Sequence, residues 1–220
     1  MRSLVWAVSR LLDVLAPPAC AACDAAAGGV FCDSCARGLR SDERDEASLD
    51  GVPLVAAGSY AEPLSTAVVR LKYEGRAELA SPLAQLLAPR LRSLELPAST
   101  LLVPVPLHAK RLASRGYNQA ALLAQALASE LSLPCAPRLL LRTRATERQV
   151  GQSREARLTK VQGAFELNRR ALTRHAGSPG IVLIDDVVTT GSTVRACAQA
   201  LAAGGAILLA VAAVARADAG

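Results

Sequence analysis

The sequence predicts an α/β fold with a doubly wound parallel sheet, preceded by a small cysteine-rich unit. The apolar run from Ile181 to Ile184 contains no alternating polar residue, which is typical of a strand buried on both faces. Strand and helix patterns then alternate along most of the chain, as in doubly wound parallel sheets. Four of the six cysteines fall between Cys20 and Cys35, which indicates a separate compact unit near the N-terminus.

The composition divides the chain into three parts. A length of 220 residues suffices for one substantial α/β domain and a small appendage. Residues 1–40 are assigned to an N-terminal helix and the cysteine-rich unit, residues 41–51 to a charged linker without periodicity, and residues 52–220 to the main domain. Its predicted strands are 52–60, 101–105, 134–141, 181–184 and 206–214, and its predicted helices are 63–73, 77–94, 119–131 and 194–202.

The N-terminal segment favours a short amphipathic helix rather than a targeting signal. Residues 3–16 place their apolar side chains on one helical face, and Pro17 and Pro18 end the pattern. Arg10 and Asp13 interrupt the apolar run that a signal peptide needs. No segment reaches the roughly 18 apolar residues of a membrane span. We therefore expect a cytoplasmic protein with no membrane span.

The cysteine spacing predicts a structural zinc site. Cys20 and Cys23 form one CxxC pair, Cys32 and Cys35 form a second, and eight residues separate the pairs. Four thiolates at this spacing suit tetrahedral Zn²⁺ and leave no open position for metal catalysis. Disulfides are the alternative, but they are disfavoured in a cytoplasmic chain, and a redox CxxC would explain only one pair. Cys135 and Cys197 are expected to be small buried apolar residues.

The apolar run that begins at Ile181 leads into a predicted phosphate site. It ends on Asp185 and Asp186, and the turn Thr189-Thr190-Gly191-Ser192-Thr193 follows, with a helical pattern directly after it. Unpaired N–H groups and the positive end of the helix dipole suit a phosphate, and the hydroxyls can add hydrogen bonds. Carboxylates do not suit a phosphate, so the acidic pair should face sugar hydroxyls or a metal.

An NTPase is the rival interpretation, because its Walker-B element is also an apolar run that ends in acids. It requires a GxxxxGK[ST] loop as well, and no Gly-Lys pair occurs in this sequence. A sugar phosphate therefore remains the favoured ligand.

This segment resembles the phosphoribosyl-pyrophosphate (PRPP) motif of type I phosphoribosyltransferases. The resemblance implies a sheet of that kind, with Asp185 and Asp186 on the ribose 2′- and 3′-hydroxyls and the following turn on the 5′-phosphate. It also implies Mg²⁺, held mainly by the pyrophosphate and ribose oxygens. The PRPP-binding residues implied by the motif are Asp185, Asp186, Val187, Val188, Thr189, Thr190, Gly191, Ser192 and Thr193.

Positive charge is concentrated between His108 and Arg174, where 13 Lys/Arg face 4 Asp/Glu for a net charge of +9. Such a stretch can neutralise a pyrophosphate or attract a nucleic-acid backbone, and a merely solvated basic face is the alternative. Only Tyr117 and Phe165 could stack on bases in this stretch, which argues against base-reading single-strand binding.

Three basic residues are candidates for the charged part of the ligand. Arg115 lies in an RGYNQ segment that fits no packing pattern, and it joins Asp185 and Asp186 as a candidate catalytic residue. Lys72 and Arg144 are candidate PRPP-binding residues, since positioning and charge stabilisation dominate phosphate chemistry. An exposed position is an equal alternative for Lys72. The polar loop around Arg144 adds Arg142, Thr146, Gln149, Arg154 and Arg157.

Five separated motifs together resemble the ComF family. They are the paired CxxC knuckle, RLKYEG from Arg70, PVPL followed by RGYNQ, a distal R-x-T-x-x-Q element from Arg144, and the PRPP-type motif. That family contains bacterial phosphoribosyltransferase-like proteins linked to natural competence and to incoming DNA. One departure is Lys160, where the family pattern suggests Asn.

Two functions follow as hypotheses. The first is an enzyme that transfers phosphoribose from PRPP, in DNA uptake or nucleobase salvage, although no base-binding pattern is recognisable for the acceptor. The second is a non-catalytic DNA-uptake adaptor that binds single-stranded DNA or a DNA-translocating helicase through its basic stretch. A homodimer is a further expectation.

Overall fold

The computed structural model describes residues 19–39, 47–144, 163–175 and 180–217. Its strands are β1 (Ser48–Leu49), β2 (Val52–Ser59), β3 (Leu101–Pro104), β4 (Leu140–Arg142), β5 (Phe165–Leu167), β6 (Gly180–Val188) and β7 (Ile207–Arg216). Its helices are α1 (Asp33–Arg37), α2 (Leu64–Tyr73), α3 (Ala80–Arg92), α4 (Ala109–Arg115), α5 (Gln119–Leu131), α6 (Arg169–Leu172) and α7 (Ser192–Ala203). The predicted helix at residues 3–16 lies outside the described residues.

The main sheet has the order β1-β2-β7-β6-β3. β2, β7, β6 and β3 run parallel, and β1 adds to β2 as an antiparallel edge. β6 lies at the centre of the parallel part, where Val182 and Ile184 face one side and Ile181 and Leu183 face the other. All four side chains are fully buried, which explains why the run contains no polar residue.

Helices cover both faces of this sheet, so the doubly wound α/β prediction is confirmed. Helices α2, α3 and α5 pack on the face that carries Val182 and Ile184. Helix α7 and the β4–β5 hairpin pack on the opposite face, where Cys197 and Phe165 are buried with Ile181 and Leu183. Aliphatic side chains make up nearly all of both layers, as expected from an aromatic content of 3%.

The structure differs from the predicted elements at several places. The segment predicted as a strand at 134–141 contributes only a bridge from Cys135 to Leu102 of the main sheet, and β4 pairs with β5 in a separate two-stranded sheet. The predicted helix at 77–94 begins with a 3₁₀ turn, Ala77–Leu79. β6 continues past the predicted end at Ile184, because β7 pairs with it as far as Val188.

The sequence predicted only a basic turn where α4 forms. Its first residue follows His108, whose imidazole accepts a hydrogen bond from the backbone N–H of Lys110. Gly116 ends the helix in the left-handed conformation, with φ 85°. The two residues that bound this helix, His108 and Gly116, are single-residue signals. A search for apolar periodicity does not detect such signals.

The cysteine-rich unit shares its core with the main domain. Cys20 and Phe31 belong to the same buried cluster as Leu64 and Leu71 of α2. A hydrogen bond from the backbone N–H of Ala21 to the carbonyl of Val30 closes the unit at 2.9 Å. Within the described residues, no helix is both long and apolar enough to cross a membrane.

Candidate functional site

The candidate site is built around two adjacent carboxylates near the C-terminal end of β6. Asp186 is only 3% exposed, and its Oδ1 accepts a hydrogen bond from the backbone N–H of Val187 at 2.7 Å. Asp185 is half-buried, and its Oδ1 accepts from the backbone N–H of Asp186 at 2.9 Å. These contacts hold both carboxylates at the carboxyl edge of a parallel sheet, which is where ligands of such folds bind.

Burial raises the pKa of Asp185 well above its ordinary value, and the adjacent charge of Asp186 raises it further. Lys72 and the backbone N–H bond oppose that increase without cancelling it. When two carboxyl groups are adjacent and partly buried, desolvation and mutual repulsion favour the neutral form of one of them.

Asp186 Oδ2 is buried and has no hydrogen-bond partner among the described residues. A buried carboxylate oxygen without a partner costs free energy, and this cost is removed when a ligand donates a hydrogen bond to it. The arrangement therefore calls for a donor, such as a hydroxyl, close to Asp186.

Lys72 provides the positive charge at this pair. It is the penultimate residue of α2, and its Nζ lies 3.0 Å from Oδ1 of Asp186. The Lys72 side chain is 16% exposed, so a solvated surface position, the alternative left open by the sequence, does not apply. The contact joins residues that are 114 positions apart, which no local pattern could reveal.

The turn after β6 forms the predicted cradle at the N-terminus of α7. Gly191 is the N-cap residue, with φ 74°, and the hydroxyls of Thr190 and Ser192 lie 3.2 Å apart. Thr189 is exposed, whereas the Val188 side chain is buried in the core, so Val188 offers only its backbone to a ligand. Val187 and Thr193 are half-buried on either side of the turn.

Arg195 supports this turn, and the sequence did not single it out. Its Nη1 donates a hydrogen bond to the carbonyl of Thr190 at 2.6 Å. Its Nε donates to the carboxylate of Asp50 at 2.7 Å. Asp50 lies between β1 and β2, at the end of the predicted linker, and the adjacent Leu49 packs so closely on Gly191 that a Cβ there would lie 2.6 Å from Leu49 Cδ1. A hairpin distant in sequence thus holds the cradle.

Arg115 lies across a cavity of about 360 Å³ from Lys72. Its guanidinium Cζ sits 5.0 Å from the centroid of the Tyr73 ring, and its Nη1 donates to Oε1 of Gln119. Arg111 and Ser114 also line the cavity. Three cations and no carboxylate line this cavity among the described residues, so its lining suits an anion, and Lys72 connects it to Asp186.

The structure does not bring Arg144 to this cavity. Arg144 is exposed, and its carbonyl accepts a hydrogen bond from Nε of Arg142 at 3.4 Å. The Arg142 guanidinium stacks 5.3 Å from the Phe165 ring centroid. Burial lowers the pKa of Arg142, as does the charge of Arg111, whereas Asp185 raises it. Thr146, Gln149, Arg154, Arg157 and Lys160 lie outside the described residues.

The four N-terminal cysteines converge as the spacing predicted. The sulfur atoms of Cys20, Cys23, Cys32 and Cys35 all lie within 4.8 Å of one another. Tetrahedral Zn–S bonds of about 2.3 Å place the sulfurs about 3.8 Å apart, so the set fits zinc after small side-chain adjustments. Burial raises the pKa of the Cys20 thiol, but backbone N–H groups, first that of Cys32, lower it to about 6. Cys135 and Cys197 stand apart, and burial raises the pKa of both thiols.

No protein-family model matches the sequence. The DNA utilization protein YhgH of Escherichia coli (strain K12) is 40% identical over 159 residues, which cover 70% of this chain and 67% of that protein. YhgH of Salmonella typhi is 40% identical over 157 residues, with the same coverage of 70% and 67%. The competence protein F of Haemophilus influenzae is 36% identical over 155 residues, or 67% of this chain and 66% of that protein.

Two solved structures are similar to this chain. The adenine phosphoribosyltransferase of Leishmania tarentolae superposes with a TM-score of 0.38 at 20% identity, over 67% of this chain and 62% of that chain. The adenine phosphoribosyltransferase of Trypanosoma brucei, in complex with AMP, pyrophosphate and ribose-5-phosphate, gives a TM-score of 0.40 at 16% identity, over 78% and 86% of the two chains. Because the YhgH relatives share 40% identity over 67% of their length, and competence protein F shares 36% identity over 66% of its length, this protein belongs to the ComF family of competence and DNA utilization proteins.

Proposed function

We propose that this protein binds PRPP at the carboxyl edge of its parallel sheet. The observation that carries the proposal is the buried Oδ2 of Asp186, which has no hydrogen-bond partner within the described part of the chain. A ribose hydroxyl would donate to it, and Asp185 would accept from the neighbouring hydroxyl. The 5′-phosphate would then reach the turn from Thr189 to Thr193, whose N–H groups and hydroxyls suit an anion.

The basic cavity would take the pyrophosphate of the same ligand. Lys72, Arg111 and Arg115 line it, and Lys72 is 3.0 Å from the carboxylate assigned to the ribose. Mg²⁺, held mainly by pyrophosphate and ribose oxygens, would neutralise charge on the leaving group. Departure of the pyrophosphate leaves an oxocarbenium-like ribose, and fixed cations near the pyrophosphate favour that separation of charge.

The activity proposed for this site is phosphoribosyl transfer, in nucleobase salvage or in the handling of DNA taken up during competence. The names of the relatives, DNA utilization protein and competence protein F, support the second setting. We also propose structural Zn²⁺ on the four cysteines, and a cytoplasmic location, because reduced thiolates persist in that compartment. A homodimer stays part of this proposal.

Calorimetric titration with PRPP tests the binding step. The wild-type protein should bind PRPP more tightly with Mg²⁺ than without it. Substituting Asp185→Asn together with Asp186→Asn should weaken binding at least about 100-fold, since two charge-assisted hydrogen bonds are lost. Glu130→Gln, far from the site on α5, serves as the control and should bind as the wild type does. Equal affinity of the double variant and the wild type would rule the site out.

The second candidate function is a non-catalytic adaptor that binds single-stranded DNA or a DNA-translocating helicase. Helix α4 favours it, because this helix presents Lys110, Arg111 and Arg115 with no acidic residue beside them. Contacts of these cations with phosphates would make the DNA affinity fall steeply between 50 and 200 mM salt. Fluorescence anisotropy with single- and double-stranded oligonucleotides measures this. Absence of binding at low salt would eliminate the DNA-binding role.

A further inference from the structure

We propose that Asp24, in the four-cysteine knuckle, is a positioning residue for Lys72 of the candidate site. The inference rests on the proposed function for the meaning of Lys72, but the contacts that carry it do not depend on a ligand. Asp24 follows Cys23, and its backbone has φ 60°. Its side chain contacts α2 and the segment that follows that helix.

Asp24 holds two arginines that flank Lys72 in sequence. Its Oδ1 accepts a hydrogen bond from Nη1 of Arg70 at 2.8 Å and another from Nη1 of Arg76 at 3.0 Å. The Arg70 side chain is 16% exposed and the Asp24 side chain is 52% exposed, so the ion pair is shielded from solvent on the arginine side only. The carboxylate thus spans the last turn of α2 and the chain that leaves it.

The stretch from Arg70 to Arg76 is also held by the main domain. Leu71 is fully buried in a cluster that joins helices α3 and α5 of the main domain to the knuckle. Its carbonyl accepts a hydrogen bond from the hydroxyl of Tyr117 at 2.6 Å. Lys72 therefore lies between an anchor in the knuckle and an anchor in the RGYNQ segment.

This arrangement explains why a lysine at the end of a helix keeps one defined position. A helix terminus frays easily, because its last carbonyls have no partner within the helix. Arg70 and Arg76 bind a common carboxylate, which limits such fraying across Lys72. Loss of Asp24 should therefore increase the motion of Lys72 and expose its amine, while the carboxylate of Asp186 stays in the core.

The amine of Lys72 is itself a convenient reporter, because the chain has three lysines, Lys72, Lys110 and Lys160. Competitive acetylation with a low concentration of acetic anhydride, followed by peptide mass spectrometry, gives a separate rate for each. Lys110 is exposed and serves as the internal reference within the same molecule. The ratio of the Lys72 rate to the Lys110 rate needs no PRPP.

Two substitutions of Asp24 suit its left-handed backbone. Asp24→Asn removes the charge, and Asp24→Gly removes every side-chain contact, while both residue types tolerate a φ of 60°. Asp33→Asn is the control within the knuckle, at an exposed acid in α1. Glu130→Gln is the matched control for an ion pair, since Glu130 binds Arg92 at 3.0 Å far from the site. Asp186→Asn removes the direct partner of Lys72 and sets the upper limit of the effect.

We expect the Lys72 to Lys110 ratio to rise about three- to tenfold in Asp24→Gly, less in Asp24→Asn, and by less than about twofold in both controls, as suits a partly shielded ion pair. Zinc content should stay at the wild-type level in every Asp24 variant that is scored. PRPP affinity, measured on the same samples, should fall in the same order.

An unchanged Lys72 ratio in zinc-loaded Asp24→Gly and Asp24→Asn would overturn the inference. If Asp24→Gly does not retain zinc, the acetylation ratio of Asp24→Asn alone decides the role of Asp24. An unchanged Lys72 to Lys110 ratio in Asp186→Asn would overturn the inference as well. It would mean that the ion pair with Asp186 does not protect the Lys72 amine from acetylation. Failure of the wild type to bind PRPP would instead refute the proposed function, and the acetylation ratios would still decide the role of Asp24.

Discussion

Asp185 shows at the scale of one residue how a binding site lowers the stability of its own fold. Burial and the charge of Asp186 raise the pKa of this carboxyl, so the folded protein prefers it protonated. A carboxyl with a raised folded-state pKa contributes stability that is fully present below its unfolded pKa and is lost as pH rises through the folded value. A negative charge on Asp185 therefore lowers the stability of the fold, and binding of a ligand would offset that loss.

Asp185→Asn should therefore stabilise the protein while it weakens PRPP binding. The amide oxygen can still accept the hydrogen bond from the N–H of Asp186, so the strand is preserved. We expect a gain of about 1 kcal/mol at pH 7, or about 2–4 °C in melting temperature, which shrinks towards zero at acidic pH. Thermal melts from pH 4 to 8 measure this, and a gain that is independent of pH would contradict it.

A second residue, Arg195, should affect the affinity for PRPP indirectly, because it supports the turn from Thr189 to Thr193. Arg195→Met removes the donor to the carbonyl of Thr190 and the contact with Asp50 but retains the aliphatic stem. We expect affinity for PRPP to fall about three- to tenfold, because the turn loses its support, with a loss of stability of about 1 kcal/mol.

Arg92→Met is the matched control, since Arg92 also donates to one carbonyl and one carboxylate, both of Glu130. It should lower the melting temperature similarly and leave PRPP affinity unchanged. If Arg195→Met binds PRPP as tightly as Arg92→Met does, the turn does not depend on Arg195.

At the scale of elements, local patterns predicted the helices and strands whose signals are continuous in sequence. The helix at 119–131 was predicted with the bounds that α5 has, because the Asn118 side chain caps it by accepting from the N–H of Ala120 at 3.0 Å and an apolar face follows. The four-cysteine convergence also follows from spacing alone. β4 was misassigned, because its short apolar run does not reveal whether its partner is the main sheet or β5, which follows 22 residues later.

The parts of the site that join distant elements could not be predicted from the sequence. The motif on β6 identified the acidic pair and the turn, whereas the cation at that pair comes from α2 and the support of the turn comes from the β1–β2 hairpin. Lys72 was singled out as a basic residue that could reach a phosphate, but only the structure places it on Asp186 rather than in solvent. Arg195 and Asp50 carry no sequence signal, since each resembles an ordinary surface residue until the two are seen together.

At the scale of the whole molecule, the knuckle is part of the main core rather than a separate appendage. Cys20 and Phe31 are buried with Leu64 and Leu71 of α2, so one packed cluster joins the four-cysteine unit to the helix that carries Lys72. Structural zinc sites contribute directly to folding free energy.

Removing zinc with a strong chelator should therefore destabilise the whole domain. We expect a loss of at least about 2 kcal/mol, or a fall in melting temperature of about 4–8 °C for a chain of this size. Calorimetry with and without chelator measures this, and adding back Zn²⁺ should restore the transition. Two separate transitions, with the larger one unaffected by chelator, would show that the knuckle folds independently.

The measurement that tests the central claim most directly compares ribose 5-phosphate with 2-deoxyribose 5-phosphate by calorimetry. If the acidic pair binds ribose hydroxyls, the wild type should bind ribose 5-phosphate at least about tenfold more tightly than the deoxy sugar. Without the hydroxyl, the buried Oδ2 of Asp186 has no hydrogen-bond donor among the described residues. Asp186→Asn should abolish that preference while it retains phosphate binding through the turn. Equal wild-type affinity for the two sugars, or an undiminished preference in Asp186→Asn, would contradict the account.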